Sequence, residues 1–460
     1  MSTPRIGRRR LLVGSVAVAA ITALSACGGS TEATSGNGGK GVIKVGTSLP
    51  LTGAMSQPGT AAKQGYETWA AMVNENGGLL GRKVELVVKD DASDQNTVVA
   101  DYNALITRDK VDLLIGTHSS LLNLPASAVA ERNKRLYVEP AGGSPQMFDR
   151  GFKYLFFTQQ ATADQSGVAF ARWVASLPAE QRPRTAAYPS LDDPFTAPAA
   201  ATIREILEKV GVKTVYDTKY AIDTKNFDAM AASLKAAAPD LIVHGAGFED
   251  GVGLVRAMLS AGVKPGLFYQ MGAPGMGKQY ADAIGAANTQ GIFYSTSHAP
   301  QAKTPGNPEF VAKYKELFGG EPPEDSADSY AAGEVLQAAV EAVGSIEDQA
   351  KLANWLRGNS VDTILGKLSW NANGSPKGEY LIGQWQDGKI EFVLPKAAAS
   401  SNRIIQGWGP GRGSGAGRHP RISCRRAARG CRRRAGCGTA RRSRGRSRRR
   451  TRWGCRSRPT

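Results

Sequence analysis

Residues 43–95, IKVGTSLPLTGAMSQPGTAAKQGYETWAAMVNENGGLLGRKVELVVKDDASDQ, decide the fold. An apolar strand, Val42–Leu49, runs into a loop of small residues, Ser48 to Gly53, that ends near Gly59. A helical pattern from about Ala61 to Asn74 closes on Gly77-Gly78, and a second strand, Val84–Lys89, stops on Asp90-Asp91. This is a βαβ opening. Its first loop lies at the carboxyl end of its strand, where open α/β sheets place ligands.

The same alternation continues outward. Candidate strands are Leu113–Ile115, Leu136–Glu139, Tyr154–Phe157, Thr185–Tyr188, Thr214–Tyr216, Leu241–His244, Leu267–Gln270 and Gly291–Ser295. Helical patterns such as Asn226–Ala238 and Ala331–Val343 separate them, and a late pair, Gly366–Trp370 and Tyr380–Leu394, carries turn chemistry at Asn373-Gly374 and Asp387-Gly388. The fold class expected is α/β, two doubly wound parallel-sheet lobes. The expected division is 42–158 plus 290–365 for the first lobe and 159–289 plus 366–395 for the second.

Charge and cysteine are segregated to the ends. The net charge is +18, but residues 403–458 hold 20 Arg and no Lys, Asp or Glu, and the leader holds four more Arg. Removing those 24 charges leaves residues 27–400 at −6, which argues against a nucleic-acid partner. Cys27 stands alone, and Cys424, Cys431, Cys437 and Cys455 are all in the tail. Between 28 and 423 there is no cysteine for a disulfide or a thiolate metal site.

Residues 1–26 read as an export signal. Arg8-Arg9-Arg10 precedes an apolar run, Leu11 to Ala23, shorter than the roughly 20 residues that span a bilayer. Leu24-Ser25-Ala26-Cys27 resembles a bacterial lipoprotein cleavage box, with Cys27 as the lipidated residue; general secretion and twin-arginine export both stay open. Residues 27–41, rich in Gly and Ser, suit a flexible tether. The expected location is the outer face of the cytoplasmic membrane. Residues 396–460 cannot bury a core. They read as an out-of-frame ending or as a basic surface arm, and a chain ending near Lys396 is expected to fold as well as the full one.

Taken in order, several blocks resemble the leucine/isoleucine/valine-binding family of solute receptors. They include Leu114-Ile115-Gly116 before Ser119-Ser120, Pro125-Ala126-Ser127, Glu139-Pro140-Ala141-Gly142-Gly143, Arg150-Gly151-Phe152-Lys153, Leu254-Val255-Arg256-Ala257 and Gly366-Lys367-Leu368-Ser369-Trp370. The resemblance implies a type I periplasmic-binding-protein fold, several crossings between lobes, hinge closure on a small solute, and docking on an ABC permease. It implies no cofactor, no metal and no catalytic residue, and a monomer.

Site candidates follow from chemistry and resemblance together. Ser119 and Ser120 open a helix whose free N–H groups can receive a carboxylate or carbonyl oxygen. Gly142, Gly143 and Ser144 follow a strand and allow close backbone approach. Phe195 and Phe248 match family positions that carry an aromatic ring near the solute, and Asp325, with Asp328, precedes the helix at Tyr330 and supplies negative charge. The family's carboxylate for an α-ammonium belongs near Met271-Gly272-Ala273-Pro274-Gly275, which has no acid, and Pro58 replaces a Tyr. Either Asp325, Asp328 or Glu249 takes over, or the solute is an amide, urea or carboxylate.

Two other classes compete. A sensor of the same fold would signal to a membrane kinase. An NAD-dependent enzyme would use Gly245-Ala246-Gly247, but Asp250 stands where a dinucleotide motif needs Gly.

Overall fold

The computed structural model describes residues 41–396 and 399–409. Cys27, the tether, the leader and the tail from 410 lie outside the described residues. No helix among the described residues is long and apolar enough to cross a membrane.

The chain first alternates β1 (Ile43–Leu49), α1 (Ser56–Glu75), β2 (Val84–Asp90), α2 (Gln95–Thr107), β3 (Leu113–Ile115) and α3 (Ser120–Arg132). β4 (Tyr137–Glu139), α4 (Pro145–Phe148) and β5 (Leu155–Phe157) complete one sheet. All its pairings are parallel, in the order β2-β1-β3-β4-β5. The chain then lays down α5 (Val168–Ser176), β6 (Thr185–Leu191), α6 (Thr196–Glu208), β7 (Lys213–Tyr220) and α7 (Asp228–Ala237). β8 (Leu241–His244), α8 (Phe248–Ala261), β9 (Leu267–Gln270), α9 (Lys278–Ile284) and β10 (Ile292–Thr296) follow.

It returns to the first lobe for α10 (Asn307–Phe318), α11 (Glu324–Val343), α12 (Gln349–Gly358) and a small hairpin of β11 (Ser360–Thr363) and β12 (Gly366–Ser369). A last crossing adds β13 (Leu381–Gln386) and β14 (Lys389–Leu394) to the second sheet, whose order is β14-β13-β10-β9-β8-β6-β7.

The parallel parts of the two sheets share one topology, since β7-β6-β8-β9-β10 repeats β2-β1-β3-β4-β5. In each, the strand order reverses beside the first strand, between β1 and β3 and between β6 and β8. Such switch points open a crevice at the carboxyl ends of the strands. Inner strands are buried on both faces, as β1 and β8 are, while the edge strands β2 and β7 are mostly half-buried or exposed. One face of the first sheet packs on α1, α10 and α11 through residues such as Trp69, Phe310 and Leu336, and the other on α2 and α3. The second sheet is likewise covered on both faces, by α7, α8 and α9 and by α5 and α6.

The division between lobes differs from the expected one in three places. β10 falls in the expected first-lobe range 290–365, but it pairs in parallel with β9 and antiparallel with β13 in the second sheet. The hairpin β11–β12 was split between lobes, yet Val361, Leu368 and Trp370 join the first lobe's core. The segment after Lys396 was expected to bury nothing. Instead Ile405 and Trp408 are buried, Gln384 exchanges two hydrogen bonds with the backbone of Ile405, and the Trp408 ring packs at a tilt on Phe268, with centroids 5.1 Å apart. Two aliphatics and one indole in an otherwise Arg- and Gly-rich run carry this packing, which is why composition hid it.

Candidate functional site

Both switch points face one cleft of about 340 Å³. The first lobe contributes Met55 and Pro58 after β1, His118 and Ser119 after β3, and Asp325 and Asp328 from α11. The second contributes Asp193 and Phe195 after β6, Phe248 and Asp250 after β8, and Gly275 and Met276 after β9.

Ser119 is the residue just before α3. Its φ of 73° lies in the left-handed region, rare for a non-glycine residue, and its Oγ accepts from Leu121 N at 3.1 Å. Residues held in such sparsely populated conformations cluster at ligand sites. The turn leaves the start of α3 directed at the cleft. Ser120 does not line the cleft; it is fully buried, and its Oγ accepts from Ser144 N at 3.0 Å. Gly142, Gly143 and Ser144 are likewise behind the wall rather than on it. Gly142 N donates to Glu139 Oε2 at 2.5 Å, and a Cβ at Gly143 would sit 3.1 Å from the Phe195 ring. Gly143 therefore gives space to an aromatic ring of the opposite lobe. Of the eight sequence candidates, Ser119, Phe195, Phe248 and Asp325 line the cleft, and the other four support it.

The acid placed just before a helix at Tyr330 is already inside one, because α11 begins at Glu324. Glu324, Asp325 and Asp328 thus project from its first turns. Glu324 Oε1 accepts from Ser297 N at 2.5 Å and from Ser297 Oγ at 2.8 Å. The same hydroxyl contacts Asp328 Oδ1, whose partner oxygen accepts from Gln159 Nε2 at 2.5 Å. One hydroxyl carries one hydrogen, so it cannot donate to both carboxylates. The pair must share a proton. Burial supplies the cause, raising Asp328 well above the usual carboxylate range and Glu324 to about 7. Burial also pushes Asp325 up to about 7.

The segment Met271 to Gly275 carries no acid, but α11 brings one there. A Cβ on Gly275 would collide with Glu324 Oε2. Sequence reasoning missed Glu324. The signal was Pro322-Pro323-Glu324-Asp325, two prolines ahead of acids at a helix start.

His118 lines the cleft beside Asp325, with Nδ1 3.6 Å from Oδ1. Burial pushes its imidazole down to about 4, so it is neutral at neutral pH. On the other wall, Asp193 Oδ1 accepts from Phe195 N at 2.6 Å and Thr196 N at 2.8 Å, capping α6. Burial outweighs these bonds and raises Asp193 to about 6, with Asp250 adding to the rise. Asp250 accepts from Tyr220 Oη at 2.6 Å, and Tyr220 lies 2.8 Å from Nε2 of the buried His244. Among the described residues, no group of three or more His, Cys, Asp or Glu side chains is arranged to hold a metal ion.

The model of the family "Periplasmic binding protein" matches residues 42–389.

The chain belongs to the periplasmic binding protein family.

Among its relatives is an amino acid binding protein of Pseudomonas aeruginosa, 27% identical over 354 residues that cover 77% of this chain and 92% of that protein. A leucine-binding protein of Thermotoga maritima superposes with a TM-score of 0.69 at 22% identity, covering 77% of this chain and all of that one. A solute-binding protein of an ABC transporter from R. palustris, solved with benzoate, superposes with a TM-score of 0.70 at 20% identity, covering 79% and 99%. These solved likenesses establish the fold of this periplasmic binding protein: mixed α/β with two parallel-sheet lobes. The family match sets it among binding proteins rather than enzymes.

Proposed function

We propose that this periplasmic binding protein is the extracytoplasmic solute receptor of an ABC importer. It captures a small polar solute bearing an amino group, an amino acid or amide, by closure of its lobes and hands it to the permease. Lipid on Cys27 anchors it to the membrane.

One observation carries the reading: Ser119 at the start of α3 and Asp325 at the start of α11 line the same cleft. The free N–H groups of α3 and the Ser119 hydroxyl suit a carboxylate or carbonyl oxygen. Asp325, with Glu324 behind it, suits an ammonium that the acid-free segment at Pro274 cannot hold. Phe195 and Phe248 supply apolar surface from the second lobe. The relative named for amino acid binding supports the solute class, and the benzoate-bound neighbour marks the alternative, a solute with carboxylate alone.

The test is a calorimetric titration with amino acids, amides and aromatic acids, paired with small-angle scattering of the same mixtures. A binding solute should compact the protein, and Asp325→Asn should weaken an amino-bearing solute by about 10-fold or more, as loss of a buried charge partner does. Binding without compaction would sink the receptor reading. Binding of benzoate with indifference to Asp325→Asn would sink the amino-group assignment.

A further inference from the structure

The proposed solute site holds more acids than the single ammonium of a neutral amino acid needs. Leucine would use one carboxylate for its ammonium and a set of donors for its own carboxylate. The walls of this cleft carry six acids, and Lys225, which is exposed, is the only lysine or arginine lining it among the described residues. His118 does not balance them. Its Nδ1 is enclosed, without a hydrogen-bond partner among the described residues, and faces Asp325 at 3.6 Å.

The acids also fall into two separate stations, one on each lobe. In the first lobe, Asp325 stands beside the Glu324–Asp328 pair, which is fixed by Ser297 and Gln159. In the second, Asp193 just after β6 and Asp250 at the start of α8 both line the cleft. Asp250 is aimed by a directed chain of buried donors. Gln270 Nε2 can only donate, so the His244 Nδ1 that it meets at 2.9 Å accepts. His244 therefore carries its hydrogen on Nε2 and donates to Tyr220 Oη at 2.8 Å, and Tyr220 donates to Asp250 Oδ2 at 2.6 Å. Tyr280 fixes the amide orientation of Gln270 by donating to its Oε1. Asp250 also accepts from Gly247 N at 3.3 Å at the start of α8.

We propose that the cleft takes a solute with two cationic centres, a diamine or an amino acid with a basic side chain, one centre at Asp325 and the other at Asp193 and Asp250. This rests on the reading of the cleft as the solute site. The two stations lie on different lobes, so such a solute draws the lobes together by charge at both ends. The apolar rings of Phe195 and Phe248 suit the methylene chain between the two centres.

The experiment titrates the full chain with lysine, ornithine, arginine and cadaverine, and with leucine, which has one cationic centre, and benzoate, which has none, as comparators. At least one dicationic compound should bind about 10-fold or more tightly than leucine and benzoate. Asp325→Asn and Asp250→Asn should each weaken it by about 10-fold or more. Asp193→Asn, which keeps the Oδ1 acceptor that caps α6, replaces Asp250→Asn if that variant does not fold. Preference for leucine or benzoate over every dication would overturn this inference and leave the receptor reading standing. Dication binding that needs Asp325 but is indifferent to both second-lobe variants would overturn the second station. Silence from the whole panel would overturn both readings.

Discussion

The two lobes share a strand order and differ in how they hold charge at the cleft. In the second lobe, the acids are tied within that lobe: Asp193 accepts from the N–H groups that open α6, and Asp250 accepts from Gly247 N and from Tyr220 Oη at the end of β7. In the first lobe, the acids of α11 are tied to the chain crossings. Ser297 lies just after β10 of the second sheet, and Gln159 just after β5 of the first. Tyr380, on the last crossing, donates to Gln159 Oε1 at 2.7 Å. Gln160 Nε2 links the first two crossings through Ser297 O at 2.9 Å. Charge on the second lobe is thus a local matter, while charge on the first is wired into the hinge.

A second contrast gives the largest expected effect. The first sheet is complete once its helices pack, but the second also leans on residues 399–409 through Ile405 and Trp408. Trp408→Ala should cost about 3–5 kcal/mol, the usual range for emptying a buried indole. A chain ending at Lys396 should lose at least as much relative to one ending at Gly409. Urea unfolding with a probe in each lobe checks this. Equal loss in both lobes would mean that they unfold as one unit, and no loss would mean that the segment is ornament.

Buried acids and histidines then set opposite pH trends. Burial raises Glu139 and Glu334 to about 8 and Asp325 and Glu324 to about 7. A folded-state carboxyl that keeps its proton longer than the unfolded chain does loses stability as pH rises, here from about 4.5 towards 8. His118, His244 and His298 are pushed down to about 4, 3 and 4, so their neutral burial costs stability only as pH falls below about 6.5. Above that pH the acids act alone. The ligand-free protein should therefore weaken between pH 6.5 and 8, by at most about 1.4 kcal/mol per pH unit for each such group. Glu139→Gln should flatten the fall; an unchanged slope would mean that Glu139 is already ionised at neutral pH.

Much of this was legible in the sequence because burial and period coincide there. All ten expected strands are present, since parallel strands covered on both faces read as unbroken apolar runs. Ser119, Phe195, Phe248 and Asp325 were recoverable because they sit at strand ends or helix starts. Ser120, Gly142, Gly143 and Ser144 were misplaced by one layer: spacing locates a loop, but whether a side chain faces the cleft or the neighbouring loop depends on tertiary contact. Asp250 was visible only as a flaw in a dinucleotide motif, and its role follows from Tyr220 and His244, thirty and six residues away, which no local pattern joins. The lobe of β10 was hidden for a related reason, because a strand's length says nothing of its partner.

Exchanging charge for amide on each lobe sharpens the contrast. Asp250→Asn should cost about 1–2 kcal/mol of stability, because it disturbs a buried acceptor of Tyr220 and of the α8 start. Asp325→Asn should cost less, since among the described residues no hydrogen bond holds the Asp325 carboxyl and its neighbours Glu324 and Asp328 repel it. The reverse ranking in denaturant melts would mean that the second lobe's acids are the ones free for a ligand.

The smallest effect bears on the hinge itself. Tyr380→Phe removes one hydroxyl, the donor to Gln159 Oε1, and leaves the ring of a residue that is 4% exposed in place. Gln159 then loses one of the bonds that aim its Nε2 at Asp328. A single neutral hydrogen bond is worth about 1 kcal/mol, so stability should drop by no more than that. If first-lobe charge is coupled to closure through this contact, solute affinity should fall severalfold, while Tyr220→Phe, its counterpart on the second lobe, should change the solute's fit without changing the compaction that scattering reads. Scattering separates the two: a Tyr380→Phe protein that binds less tightly yet compacts as fully would show that the hinge does not sense Asp328.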